Sequence, residues 1–402
     1  MELNCSIQNY EWGRKGSDSI IANLMKSSNP DFIINESLPY AELWMGTHPN
    51  GPSLLKGKNI FLEEYVRDNN HVLGKVLIDK YNGKIPFLLK VESVRKALSI
   101  QVHPSKEQAE MLHQSSPNIY KDDNHKPELA VALSKFETLC GFRPISEIKN
   151  YLRSIPELCF VIGHNEISHM FSSSESNFLD ILKNCFINLM SQETEIVAEQ
   201  LKKLIKRLSD LDETTRQSLK ADLLERLYSD YPDDVGCFCI YLFNHVTLQP
   251  GEAMYIAANE PHAYLSGDCI ECMSCSDNVV RAGLTPKLKD VETLISILSY
   301  TCEPASAKLF KPIKEDECTQ IFKPPVQDFA VAKIVIPPRK SYDLIPRSTA
   351  SIMIVISGNI EISDSQIFNK GSALFLSAEE SISIKTTSCS EPVMIFQAFA
   401  NV

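Results

Sequence analysis

The chain has 402 residues, 44% of them hydrophobic and 23% charged, with a formal net charge of −11. A chain of this length builds two or three domains, each able to bury a core. The acidic balance lacks the basic footprint that nucleic acid or an anionic membrane requires, so neither partner is expected, and an anionic substrate calls for locally placed Lys or Arg.

No basic stretch between Met1 and Cys5 leads into an apolar run, so no export signal is expected, and no window has the apolar length of a membrane span. Twelve cysteines on such a chain read as reduced thiols in the cytoplasm rather than as a disulfide framework.

Up to about Pro144, short apolar runs alternate with Gly, Pro and Asn: Tyr10-Glu11-Trp12-Gly13, Ala41 to Pro49, and Pro86 to Val91. Such punctuation suits strands and turns. Short helices are expected at 17–25 and at 105–113, where Ser105 is a suitable N-cap. Between them, Ala97 to Pro104 alternates Leu98, Ile100 and Val102 with Ser99, Gln101 and His103, the period of a strand with one apolar and one polar face.

Character changes after Arg143-Pro144. Between Pro156 and Pro232 there is no proline and one glycine, and apolar residues recur at helical spacing from Phe178 to Leu189 and from Ile196 to Leu208. A further helix is expected from a cap near Asp212 through Leu219, Leu223, Leu224 and Leu227. This block reads as an α-helical insertion.

Strand patterns return with Cys239 to Phe243, Val246 to Leu248 and Ala253 to Ala257, and, after a helix expected at 291–298, continue from Val331 to the end. The segment Gly251 to His262 aligns without a gap on Gly371 to Ile382. Each has a glycine turn, an apolar strand and a small polar turn, which predicts two copies of one jelly-roll unit, the second with Ile382 where the first has His262.

Three stretches carry chemistry. Gln101 and His103 on one strand face, Glu128 entering another strand and His262 after a third make a mixed N/O donor set suited to Zn²⁺ or a similar ion. A histidine on a strand is more often simply hydrogen-bonded, so the residues alone leave both readings open. Cys269-x-x-Cys272-x-x-Cys275 sends successive thiols to opposite strand faces and reads as buried and inert, whereas Glu271 among them needs a partner. Arg281 and Lys287, with the Ser99 hydroxyl, suit a phosphate, with ordinary surface charge as the alternative.

Six blocks in order, Tyr10-x-Trp12-Gly13, Ala41 to Pro49, Leu98 to Pro104, Asn124 to Glu128, Cys140 to Pro144, and Cys272-x-x-Cys275 through Lys287, resemble the type I phosphomannose isomerases over about three quarters of the chain. Glu92 departs from the family pattern, which leads one to expect an apolar residue there.

The resemblance implies a mainly β fold of two cupin-like jelly-roll β-barrels with a helical insertion. Residues 1–145 and 235–315 would form the metal-bearing domain, 146–234 the helical domain and 316–402 a C-terminal jelly roll without metal. It implies one Zn²⁺ on Gln101, His103, Glu128 and His262. It also implies Arg281, Glu271 and Lys126 as catalytic residues and Ser99, Tyr264 and Lys287 as substrate-binding residues. The implied reaction interconverts mannose 6-phosphate and fructose 6-phosphate through a cis-enediolate, in a cytoplasmic monomer that supplies GDP-mannose synthesis and glycosylation or feeds mannose into glycolysis. Which group moves the proton (Glu271, Lys126 or metal-activated water) stays open. A sugar-phosphate-binding cupin and a cupin-type oxygenase are the rivals, and Gln101 beside two His and one Glu favours a non-redox zinc site.

Overall fold

The computed structural model describes residues 1–173, 177–362, 366–387 and 390–402. Its organising element is the thirteen-residue strand His262–Ser274. The first half pairs with Phe136–Phe142 and, at His262, with Ile100–Val102. The second half pairs with Phe87–Val94 on one edge and Glu128–Ala132 on the other. Partners change near Gly267, which has φ +111° and whose missing Cβ would lie 2.4 Å from the Lys135 carbonyl. Only glycine fits that bend.

The strand predicted around Ile100 is short, Ile100–Val102, but its alternation holds. Ile100 and Val102 are fully buried in a core shared with the helices, while Gln101 turns the opposite way. The helical block runs from Ile145–Ser154 to Ala221–Asp230 and packs Leu182, Phe186, Leu201, Leu204 and Leu224 into that same core. The backs of the strands that carry the polar residues therefore rest on helices.

Two expectations need correction. The helix from Asp212 is two helices, Glu213–Ser218 and Ala221–Asp230, broken at Lys220, whose φ of +57° no α-helix accommodates. Cys239 to Phe243 is not a strand: Val235–Tyr241 is a 3₁₀ helix capped by the Asp234 side chain, and the strand begins at Phe243. All seven residues of that 3₁₀ helix are buried on every side, so they show no alternation that would separate strand from helix.

The C-terminal part is a sandwich of an eight-stranded and a four-stranded sheet. Ile334, Met353, Leu374 and Ile395 meet Leu344, Ile360, Ile382 and Ile384 between them. The other face of the large sheet, with Val331, Ile352, Phe375 and Phe396, packs on Leu43, Phe87, Val91 and Leu129 of the first β-unit. The large sheet also takes in Glu2–Asn4 and Leu54–Leu55 from the start of the chain. The predicted repeat is visible in the backbone. Gly251 and Gly371 have φ of +90° and +89°, and Asn259 and Glu379 are both left-handed. The strands Ala253–Ile256 and Ala373–Leu376 occupy matching places.

Candidate functional site

Gln101 stands in register with His262 on one side and with Arg281 of the strand Val280–Gly283 on the other. One row across three strands therefore carries an imidazole, an amide and a guanidinium on neighbouring positions. His103 lies just past the end of the same strand, and its ring centroid is 4.9 Å from that of His262.

Both imidazoles are fully buried, and each has its Nδ1 committed to a backbone carbonyl: His103 to Asn278 at 2.8 Å and His262 to Glu260 at 2.9 Å. A carbonyl only accepts, so Nδ1 carries the proton and Nε2 presents a lone pair. The two Nε2 atoms lie 3.2 and 3.3 Å from the Glu128 carboxylate oxygens. Neither Nε2 nor Glu128 Oε2 has a hydrogen-bond partner. Three buried, unpartnered electron-pair donors converging within 4.8 Å suit a divalent cation, and the two carbonyls fix the rings with Nε2 turned towards the place where an ion would sit.

The electrostatics agree. Burial, with Lys126 next, pushes His103 down to about 4, so it stays neutral and able to ligate. Burial alone would raise Glu128, but the Lys126 ammonium 3.0 Å away and His103 hold it well below the usual carboxylate range.

A cavity of about 480 Å³ opens beside this group. Gln101, Glu128 and Lys126 line it near the histidines, and Ser99, Tyr264, Glu271, Arg281 and Lys287 line the rest. All ten residues singled out in the sequence thus lie at or beside one cavity. Burial pushes Arg281 down, and its guanidinium lines the cavity with no carboxylate partner among the described residues.

Glu271 finds the partners its burial demands: Lys90 Nζ donates to Oε2 and the Tyr264 hydroxyl to Oε1, each at 2.8 Å. Lys90, Glu42 and Trp44 line the cavity too and were not singled out in the sequence. For Lys90 and Glu42 the signal is a charge within an apolar strand, and Trp44 carries none. Lys96, just past the strand Phe87–Val94, was not singled out either; its Nζ sits 4.2 Å above the Tyr231 ring and so brings the helical block to the cavity rim.

Residues 1–145 match the family described as phosphomannose isomerase type I, catalytic domain, and residues 161–243 match its helical insertion domain. The chain is 46% identical to the mannose-6-phosphate isomerase of Bos taurus over 96% of this chain and 95% of that one. It is 44% identical to that of Homo sapiens over 98% and 97%. Among solved structures it superposes with TM-score 0.84 and 30% identity, over 100% of this chain and 99% of the other, on mannose 6-phosphate isomerase bound with zinc and yttrium. The apo form from Salmonella typhimurium matches equally well, with the same TM-score, identity and coverage.

Proposed function

The chain belongs to the type I phosphomannose isomerase family, and from that premise we propose how its own residues carry the reaction. The chain interconverts mannose 6-phosphate and fructose 6-phosphate and takes one Zn²⁺. The observation that carries the assignment of roles is the row His262, Gln101, Arg281 beside the converging lone pairs, facing a cavity that also holds Glu271 and Lys126. Gln101, His103, Glu128 and His262 would hold the ion, which when bound supplies a Lewis acid for negative charge on the sugar oxygens.

Going from aldose to ketose, the C2–H bond breaks, a C1–H bond forms, and a proton passes from O2 to O1. Glu271 is the group proposed to take the C2 proton and deliver it to C1 on the same face of the cis-enediolate. Its two hydrogen bonds fix the carboxylate in place at the cavity wall. Lys126 and Arg281 donate to O1 and O2, balance the charge that develops there and can relay the proton between them. Lys287 and Ser99 anchor the phosphate, and Tyr264 orients Glu271.

The free thiols of the described cysteines support a cytoplasmic setting, and one chain per particle is part of the same proposal, checked by sedimentation. The division into 1–145 with 235–315, 146–234 and 316–402 is proposed as the domain plan.

The test follows fructose 6-phosphate formation from mannose 6-phosphate before chelation, after it and after zinc is returned, then repeats the assay with Glu271→Gln and Lys126→Met. Activity that depends on zinc and falls in both variants supports the roles. Near-normal turnover in both folded variants removes these residues from proton transfer.

A further inference from the structure

The cavity wall opposite the helices contains more acid than the reaction uses. The strands Glu42–Met45, Phe87–Val94 and His262–Ser274 lie side by side, with Glu42 opposite Glu92, Trp44 opposite Lys90 and Lys90 opposite Glu271. Three carboxyls thus surround one ammonium, each of the four residues at most 5% exposed. Lys90 Nζ is 2.8 Å from Glu271, 3.4 Å from Glu42 and 3.6 Å from Glu92.

The three carboxyls are not equivalent. Glu271 receives Lys90 and the Tyr264 hydroxyl, and Glu42 receives Lys90 and the Trp44 indole N–H at 2.7 Å. Glu92 receives no hydrogen bond from the ammonium, and its buried Oε2 has no hydrogen-bond donor among the described residues. If all three were ionised the cluster would carry an uncompensated double negative charge among buried groups, which burial strongly disfavours. The proton needed to avoid that belongs on the carboxyl with the fewest donors.

We propose that Glu92 serves as a neutral carboxylic acid in the wall of the active site, holding one proton that leaves the Lys90 ammonium to Glu271 and keeps that carboxylate ionised. Glu92 is a positioning residue, and the proposal rests on the reading of Glu271 as the proton carrier. Its surroundings agree on every side. Burial first, then the charges of Glu271 and Glu42, push Glu92 well above the usual range, with Lys90 opposing. Cys269 faces it from the neighbouring strand, and Tyr264 and Tyr10 lie within range of its charge. At alkaline pH the Glu92 O–H bond breaks and the proton leaves to water. The wall then gains one negative charge that competes for Lys90 and opposes the enediolate, so activity falls.

The test uses the zinc-loaded full chain. Infrared difference spectra of the wild type at neutral pH show the carbonyl stretch of a protonated carboxylic acid. That band titrates away on the alkaline side and is missing from Glu92→Gln and Glu92→Leu. In the same variants the alkaline fall of kcat/KM for mannose 6-phosphate moves up by at least about one pH unit. Where wild type has lost most of its activity, they therefore keep roughly tenfold more of their neutral-pH value. No such band in wild type, a band that survives both substitutions, or an alkaline fall that stays in place overturns the proposal. The band and its loss on substitution need no substrate, so they report on Glu92 even if Glu271→Gln keeps its turnover and the base assignment falls.

Discussion

Lys126 Nζ lies 3.0 Å from Glu128 Oε1, a cation set against a carboxylate whose other oxygen belongs to the buried donor group. The ammonium competes with a bound cation for Glu128, so its removal does not weaken metal binding. Lys126→Met is expected to keep its zinc in chelator competition while kcat falls by about 10²-fold or more. Loss of zinc in parallel with loss of turnover would show that Lys126 builds the metal site rather than serving the substrate.

His103→Ala and His262→Ala each remove one of the unpartnered imidazole nitrogens. Zinc content measured by elemental analysis is expected to drop from one per chain to well below half, with activity down by at least about 10²-fold and no recovery at micromolar zinc. Full zinc occupancy in both variants would move the metal elsewhere.

Lys287 lines the cavity and has no acidic partner among the described residues. If it anchors the phosphate, Lys287→Ala raises KM for mannose 6-phosphate by about 10-fold or more, with kcat changed less than about threefold. A pure kcat defect would contradict the anchoring role.

Lys90 is the single ammonium among three buried carboxyls, and Lys90→Met strands them. Breaking a buried pair costs about 3–5 kcal/mol, readable as a lower urea midpoint with an unchanged m-value. The double variant Lys90→Met/Glu271→Gln should regain part of that loss. A single variant as stable as wild type would mean the cluster sheds its charge by another route.

His245 lies opposite Leu139 in the strand pairing, outside the donor group of His103, Glu128 and His262, with Nε2 buried and without a hydrogen-bond partner among the described residues. Burial pushes it down to about 4 from the ordinary 6.5, Glu137 opposing and Lys220, Arg143 and Arg226 adding to the shift. Between those two values the unfolded chain binds the extra proton, so stability is fully present above pH 6.5 and is lost as pH falls towards 4. The loss amounts to about 3 kcal/mol. Urea unfolding at pH 7 and 4.5 should show this slope in wild type and a flatter one in His245→Phe. Equal slopes would rule His245 out as the source.

What the sequence made legible follows from geometry. Ser99, Gln101 and His103 announce a polar strand face because period-two alternation survives folding, and Ile100 and Val102 are indeed buried behind it. The converging pair His103 and His262 lies 159 residues apart in the chain, a distance no local spacing encodes, and the family resemblance brought them together. Lys90 and Glu92 stayed hidden because their strand is buried on both faces. In such a strand the apolar run reads continuously and its charges look like exceptions rather than a wall. Glu92 did stand out, but as a misfit, and only the cross-strand partners show what the misfit does. Cys239 to Phe243 misled for a related reason, since complete burial erases the periodicity that distinguishes strand from helix.

The eight-stranded sheet is built from both ends of the chain: Leu3 stands between Ala373 on one side and Leu55 on the other, and the Met1 ammonium donates to the Phe375 carbonyl at 2.8 Å. Neither barrel can open along that edge without exposing the other. Heating should therefore melt the two barrels in one calorimetric transition, and a truncation inside the metal-free barrel would reach the catalytic one as lost cooperativity. The part of the chain that carries no chemistry thus acts as a clamp on the part that does.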